Sequence, residues 1–320
     1  MDIAPVMTYA SGWMERVSRL MEKTLSSDID LLDKTNASIL EGGGKRLRPL
    51  LCLLVADACG GVGEDAVKFA AASELLHNAT LMHDDVVDGA ETRRGRPTVM
   101  SVLNTSASVL IGDFWLTKAM EIVLSAEHSS SEVIRVFSKT LSDLAEGEML
   151  QLEKSISCDT RREDYLRIVY CKTASLFEAA ALSAAIASGA PESWREAVRD
   201  YAVNLGIAFQ VKDDILDYVG GDIGKPSGQD LLERKVTMPL LGALEGVPEA
   251  EERSVRALLV EGGHEASVAA FVAERDGVAK ALDVLDSYVD KACLALEILS
   301  ESPAKEYLAE LARFNAMREK

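Results

Sequence analysis

The run from Leu75 to Asp88, Leu-Leu-His-Asn-Ala-Thr-Leu-Met-His-Asp-Asp-Val-Val-Asp, constrains this chain more than any other stretch. It is an apolar, helix-forming segment that ends in three carboxylates. On a helix, Asp84 and Asp88 stand four residues apart on one face, with Asp85 about 100° round from Asp84. Such a face presents negative charge to something strongly positive, and a metal ion is the first candidate. The pattern recurs once, as Asp213-Asp214-Ile215-Leu216-Asp217, again closing an apolar run, Leu205 to Val211. Six carboxylates are more than a core buries without compensation. A single acidic motif at a helix end is as well explained by a solvated tip. Two copies, each flanked by basic residues, argue for a ligand.

An all-oxygen donor set selects a hard cation, and Mg2+ in particular takes one or two carboxylates together with substrate phosphates. Two such clusters facing one another would clamp a diphosphate. The overall charge bears on how that anion is held: 34 Lys and Arg stand against 52 Asp and Glu, for a formal net charge of -18. This balance disfavours nucleic acid or an anionic membrane surface as a partner held by general electrostatics. Phosphate must be gripped locally, by metal ions and a few placed cations.

Those cations cluster in four places. Gly42-Gly43-Gly44-Lys45-Arg46-Leu47-Arg48-Pro49 combines a free backbone with three positive charges and a proline suited to a first helical turn. Arg93-Arg94-Gly95-Arg96 follows the first aspartate cluster, and planar guanidinium forks suit phosphate oxygens. Lys172-Thr173 precedes the apolar run Leu176 to Ile186. The stretch 220–230, with four glycines and Lys225, is the most loop-like of the chain and is suited to ordering over a ligand; Lys235, Thr237 and Pro239 follow it and open a helix.

The remainder fixes the class. Hydrophobic residues make up 48% of the chain with only 5% aromatics and 8 prolines, and apolar positions recur at helical intervals over 7–25, 29–40, 109–124, 133–152 and 196–218. Ser26-Ser27-Asp28 is placed to cap the second of these. No strand-type alternation of useful length and no linker is present, so one all-helical domain spanning 1–320 is expected. Cys52, Cys59, Cys158, Cys171 and Cys293 are odd in number and lack Cys-x-x-Cys spacing, which reads as reduced thiols. The N-terminus lacks the regions of a signal peptide and no apolar run is long enough to span a bilayer, giving a cytoplasmic expectation.

Taken together, these motifs resemble the trans-type isoprenyl diphosphate synthases, the polyprenyl synthetase family. The resemblance rests on the Gly-rich basic turn at 42–49, His77 before the first aspartate motif, Arg93-Arg94-Gly95 after it, Gly-Glu-Met-Leu-Gln at 147–151, Lys172-Thr173, Phe-Gln-Val-Lys-Asp-Asp-Ile-Leu-Asp at 209–217, and Gly-Lys-Pro-x-Gly-x-Asp at 224–230 leading to Lys235. It implies an antiparallel bundle of helices around a deep central cavity, with the aspartate clusters facing each other across its mouth. By that resemblance Asp84, Asp88 and Asp213 ligate Mg2+ ions on an allylic diphosphate, with Asp85, Asp214 and Asp217 ligating directly or through water. Arg93, Lys172, Lys212 or Lys225, and Lys235 add charge around that diphosphate. Isopentenyl diphosphate sits on Lys45, Arg48, His77 and Arg94, while Thr173 and Gln210 offer dipoles to a cation.

Ala79 and Thr80, one turn deeper than Asp84, are small where short-chain members of the family carry bulky aromatics, and no extra pair of residues interrupts the first cluster. Both features imply a product longer than farnesyl; Lys212, where many long-chain members are apolar, leans the other way and keeps a farnesyl or geranylgeranyl product open. A homodimer is expected by the same resemblance. A non-catalytic subunit of a heteromeric synthase shares the fold, but such subunits usually lose aspartates and all six are present here. The C-terminal Arg318-Glu319-Lys320 is a partial echo of the basic tail of some members and is assigned no role.

Overall fold

The computed structural model describes residues 3–42, 44–93, 95–127, 131–220 and 228–318. Arg94 and Lys225 lie outside them. The chain opens with α1 (Ala4–Leu25), α2 (Asp30–Glu41), α3 (Leu47–Ala58) and α4 (Glu64–Val87), and a two-residue antiparallel pair, β1 (Thr92–Arg93) and β2 (Arg96–Pro97), follows. Next come α5 (Val99–Val102), α6 (Thr105–Leu124), α7 (Ser131–Ser157) and α8 (Arg162–Val169), then a π-helical turn (Tyr170–Ala174) leading into α9 (Ser175–Ala187). The rest is α10 (Glu192–Val219), α11 (Gln229–Leu232), α12 (Met238–Leu244), α13 (Glu249–Glu261), α14 (Glu265–Glu274), α15 (Gly277–Ala295) and α16 (Pro303–Met317).

The all-α architecture expected from the periodicity is what forms. Its layering follows from which helices are apolar all round rather than on one stripe. In α3 every residue from Leu50 to Ala56 is fully buried, and α9 buries Ala179, Ala180, Ala181, Ala184 and Ala185 completely. A helix apolar on every side belongs in the centre. Around this pair stand α4 and α10, and outside them α6 covers α4 while α15 covers α10. Alanine on the inner faces lets the axes approach closely. Amphipathic α1 buries only Val6, Ala10, Met14, Val17, Met21 and Leu25, a single stripe at helical spacing, as an outer helix does.

Two local expectations are revised. The N-cap of α2 is Ile29 and makes no side-chain cap. Ser27 acts one step earlier, donating its backbone N–H to Asp33 at 3.0 Å while its hydroxyl accepts from the Ile29 N–H at 3.2 Å. The loop after the first aspartate cluster also contains the small β1–β2 pairing, too short to leave an alternating pattern. No helix among the described residues is long and apolar enough to cross a membrane.

Candidate active site

Helices α4 and α10 each end in an Asp-Asp-x-x-Asp motif, and in both the middle carboxylate turns away from its neighbours. Asp85 is only 5% exposed and is bound by Arg93 Nε at 2.6 Å. Asp214 is 2% exposed and accepts from the Tyr165 hydroxyl at 2.5 Å, from Gln210 Nε2 at 3.0 Å and from the Met238 backbone N–H at 3.4 Å. Its burial pushes its pKa up to about 6, against the pull of those donors. The 100° step along a helix sends the second aspartate of each motif inward, where it organises its surroundings.

The outer carboxylates remain. Asp84 is raised to about 7, first by burial and then by the charge of Glu148, with Lys172 and Arg93 opposing. Asp88 closes α4 and is exposed, and Gly89 turns the chain at φ +64°. Asp213 is half-exposed and pairs with Arg318 Nη2 at 2.6 Å. Asp217 accepts from the backbone N–H groups of Gln229 at 3.1 Å and Asp230 at 3.0 Å, so it anchors the chain where it re-enters as α11.

The carboxylates at the ends of α4 and α10 are linked through the charged groups near them. Lys235 pairs with Glu233 and also feels the negative charges of Asp88, from the first cluster, and Asp230. Asp230 in turn lies in the field of Asp214 and Asp217. Lys172 pairs with Glu148 Oε1 at 2.7 Å. A cavity of about 140 Å³ opens here, with Lys172, Thr173, Gln210, Asp214, Asp230 and Lys235 in its wall.

Lys172 and Thr173 sit on the π-helical turn, an irregularity that commonly marks functional positions. Two glycines admit it. A Cβ on Gly147 of α7 would lie 2.7 Å from Cys171 Cβ, and one on Gly206 of α10 would lie 2.5 Å from Ala174 Cα. The turn is thus clasped from both sides, and it presents the Thr173 hydroxyl to Gln210 Oε1 at 2.9 Å.

The basic turn leads into α3, which packs on α9. Arg46 adopts φ +45°, and Gly42 lies against Arg96 of the hairpin. Lys45 stands 5.6 Å from the Phe314 ring centroid, and buried Arg48 lies 4.7 Å over Phe177. Phe177 touches Phe209, which Arg318 covers at 4.0 Å, so four side chains stack from Arg48 to Arg318. His77 is half-buried on α4, Ala79 is fully buried, and Thr80 donates to the His77 carbonyl at 2.9 Å. Lys212 is half-buried on α10. His83 fills the space left by Gly112, where a Cβ would fall 2.4 Å from its ring.

Tyr165, Glu148 and Asp230 join the site without an individual role expected from the sequence, and Arg318, to which the sequence assigned none, pairs with Asp213. Glu148 and Asp230 fall inside quoted motifs, so position signalled them. Among the described residues no three carboxylate, His or Cys groups converge closely enough to hold a metal ion unaided. The surplus negative charge around Asp84 and the all-oxygen donors fit a hard divalent cation whose remaining ligands come from phosphate.

A polyprenyl synthetase family model matches residues 29–274. The chain belongs to the polyprenyl synthetase family. It is a trans-prenyltransferase, 38% identical to an octaprenyl diphosphate synthase of Escherichia coli (strain K12) over 100% of both chains. Among solved polyprenyl synthetases, a decaprenyl diphosphate synthase from Rhodobacter capsulatus superposes with a TM-score of 0.93 at 34% identity, each chain covered in full. A polyprenyl synthase from Caulobacter crescentus CB15, complexed with calcium and isoprenyl diphosphate, gives 0.90 at 35% identity, covering 100% of this chain and 98% of that one.

Proposed function

We propose that this polyprenyl synthetase joins isopentenyl diphosphate to an allylic diphosphate head to tail and extends an all-trans chain beyond farnesyl, with Mg2+ as its metal. The observation that carries the reading is that Asp84 and Asp88 lie in the fields of Lys172 and Lys235, two lysines in the wall of a cavity that also holds Asp214 of the second cluster. Carboxylates and ammonium groups so mixed have a common partner in a metal-bound diphosphate.

Asp84, Asp88 and Asp213 would hold the ions, which when bound supply Lewis acidity to the leaving diphosphate. Asp85, Asp214 and Asp217 support this shell from behind, since each is already engaged by Arg93, by Tyr165 and Gln210, or by the α11 amides. Lys172, Lys235 and Arg93 place fixed positive charge where the oxyanion develops, the kind of preorganised stabilisation that contributes most to such steps. Lys225 belongs to the same set by motif. Breaking the allylic carbon–oxygen bond sends its electron pair to the diphosphate and leaves a cationic carbon. The isopentenyl double bond attacks that carbon, and loss of a proton to the departed diphosphate restores the alkene. Lys45, Arg48 and His77, with Arg94 by motif, would seat the second diphosphate beside the first.

Ala79 and Thr80 put little bulk where the growing chain descends along α4, which supports a long product. The whole chain is read as one catalytic unit. Exposed Val102, Leu110 and Leu124 on α5 and α6 offer an apolar face for a second copy, in keeping with a homodimer. Purified protein incubated with Mg2+, isopentenyl diphosphate and allylic primers of five to twenty carbons tests the proposal. Products rising in five-carbon steps past twenty carbons and vanishing with EDTA are expected. Folded protein that elongates no primer would overturn it.

A further inference from the structure

The buried chain running from Tyr165 to Thr173 has a direction that side-chain chemistry fixes. Asp214, as a carboxylate, only accepts hydrogen bonds. Both Tyr165 Oη, at 2.5 Å, and Gln210 Nε2, at 3.0 Å, must therefore donate to it. With its NH2 turned to Asp214, the Gln210 amide presents Oε1 to Thr173, and the Thr173 hydroxyl donates at 2.9 Å. The single hydroxyl proton of Thr173 is then committed, and only the lone pairs of its oxygen are left for the cavity. Tyr165 is 4% exposed and Asp214 2%, so water does not readily replace either partner.

This matters because the same cavity wall carries Lys172 and Lys235. Those ammonium groups favour the leaving diphosphate and disfavour the carbon it leaves behind. A hydroxyl free to rotate would follow the nearest charge and turn its proton inward for part of the time. One held by Gln210 offers its negative end steadily to an electron-deficient carbon. Such an arrangement costs no reorganisation at the moment of bond cleavage.

We propose that Tyr165 is a positioning residue of the reaction: by fixing Asp214 it orients the Gln210 amide and holds the Thr173 oxygen with its lone pairs toward the cationic allylic carbon. The proposal rests on the prenyl-transfer reading above and adds a residue to it. Tyr165 does not touch substrate; it acts through Asp214 and Gln210. Its removal leaves Asp214 Oδ2 with only the Met238 N–H at 3.4 Å, so the carboxylate is no longer fixed and the Gln210 amide that donates to its other oxygen loses its set orientation.

The test uses the full-length protein with Mg2+ and two non-reacting prenyl diphosphate analogues, one bearing an ammonium group at the position of the cationic carbon and one its uncharged isostere. Calorimetry gives the preference for the charged analogue. In Tyr165→Phe that preference is expected to fall about tenfold, with the isostere bound within about twofold of the parent. In turnover kcat falls about tenfold or more while KM for isopentenyl diphosphate holds, in line with the loss of an oriented dipole. Thr173→Val removes the same preference, and adding Tyr165→Phe to it costs little more, as members of one chain should behave.

An unchanged preference in folded Tyr165→Phe overturns the proposal, and so does an equal loss of affinity for both analogues, which marks a purely structural role. Should Tyr165→Phe fail to fold, a preference retained in Thr173→Val overturns it instead. A parent protein that binds neither analogue and elongates nothing overturns the prenyl-transfer reading, and the proposal falls with it. A parent that elongates while Tyr165→Phe keeps its preference removes only the role of Tyr165.

Discussion

Arg318 Nη2 lies 2.6 Å from Asp213 Oδ1, so a residue just past the last helix neutralises the first aspartate of the second cluster. The guanidinium also donates to the Phe209 carbonyl at 2.9 Å and covers the Phe209 ring at 4.0 Å. Its side chain is 8% exposed, whereas that of Asp213 is 41% exposed. A cation approaching Asp213 from the open side must therefore share it with Arg318. Arg318→Ala is expected to tighten divalent-ion binding a few-fold by calorimetry and to lower the melting temperature through lost stacking. Unchanged ion affinity would mean that Arg318 and the metal use Asp213 without competing.

Gly206→Ala tests the clasp around the π-helical turn. The new methyl would lie 2.5 Å from Ala174 Cα, a backbone atom that cannot swing away. Overpacking of this kind costs about 1–3 kcal/mol. Urea unfolding should show that loss. Because the displaced turn carries Lys172 and Thr173, kcat should fall as well; a stable variant with full activity would show that the turn yields freely.

Ala79→Tyr probes the floor of the chain-length tunnel. Ala79 is fully buried one turn below the first cluster, so a tyrosine there meets the descending prenyl chain or its lining. Shorter products are expected by mass spectrometry of the extracted prenyl diphosphates. A product distribution unchanged in a folded variant would remove Ala79 from the floor.

The five cysteines should behave as core atoms. All are unpaired, four are buried, and burial pushes the thiols of Cys52, Cys59, Cys158, Cys171 and Cys293 upward, away from the reactive thiolate. Alkylation of the native protein at pH 8 should be slow at every site and complete at all five after denaturation. Rapid native labelling at Cys52 or Cys158 would contradict the packing described.

What could be read in advance depended on how far apart the interacting residues lie. The helical class and the ends of α4 and α10 followed from local periodicity, and the 100° step between Asp84 and Asp85 already separated the carboxylates into two directions. It did not say where Asp85 or Asp214 would point. Their partners Arg93 and Tyr165 depend on a hairpin turn and on the contact of α8 with α10. Arg318 meets Asp213 only because α16 packs on α3 and α10, a contact that charge pattern alone does not encode. Gly147 was visible only as part of a motif, and Gly206 carried no signal in the sequence. Only the crossing of α7 and α10 over the π-helical turn explains why a Cβ is excluded at each.

Diffraction from crystals grown with Mn2+ and a non-cleavable allylic diphosphate analogue, recorded at the manganese edge, tests most directly whether the two aspartate clusters share one diphosphate. Anomalous peaks are predicted beside Asp84 and Asp88 on one side and beside Asp213 on the other, bridged by the same diphosphate, with Arg318 displaced or turned from Asp213. Ions confined to one cluster, or a diphosphate seated away from Lys172 and Lys235, would contradict it.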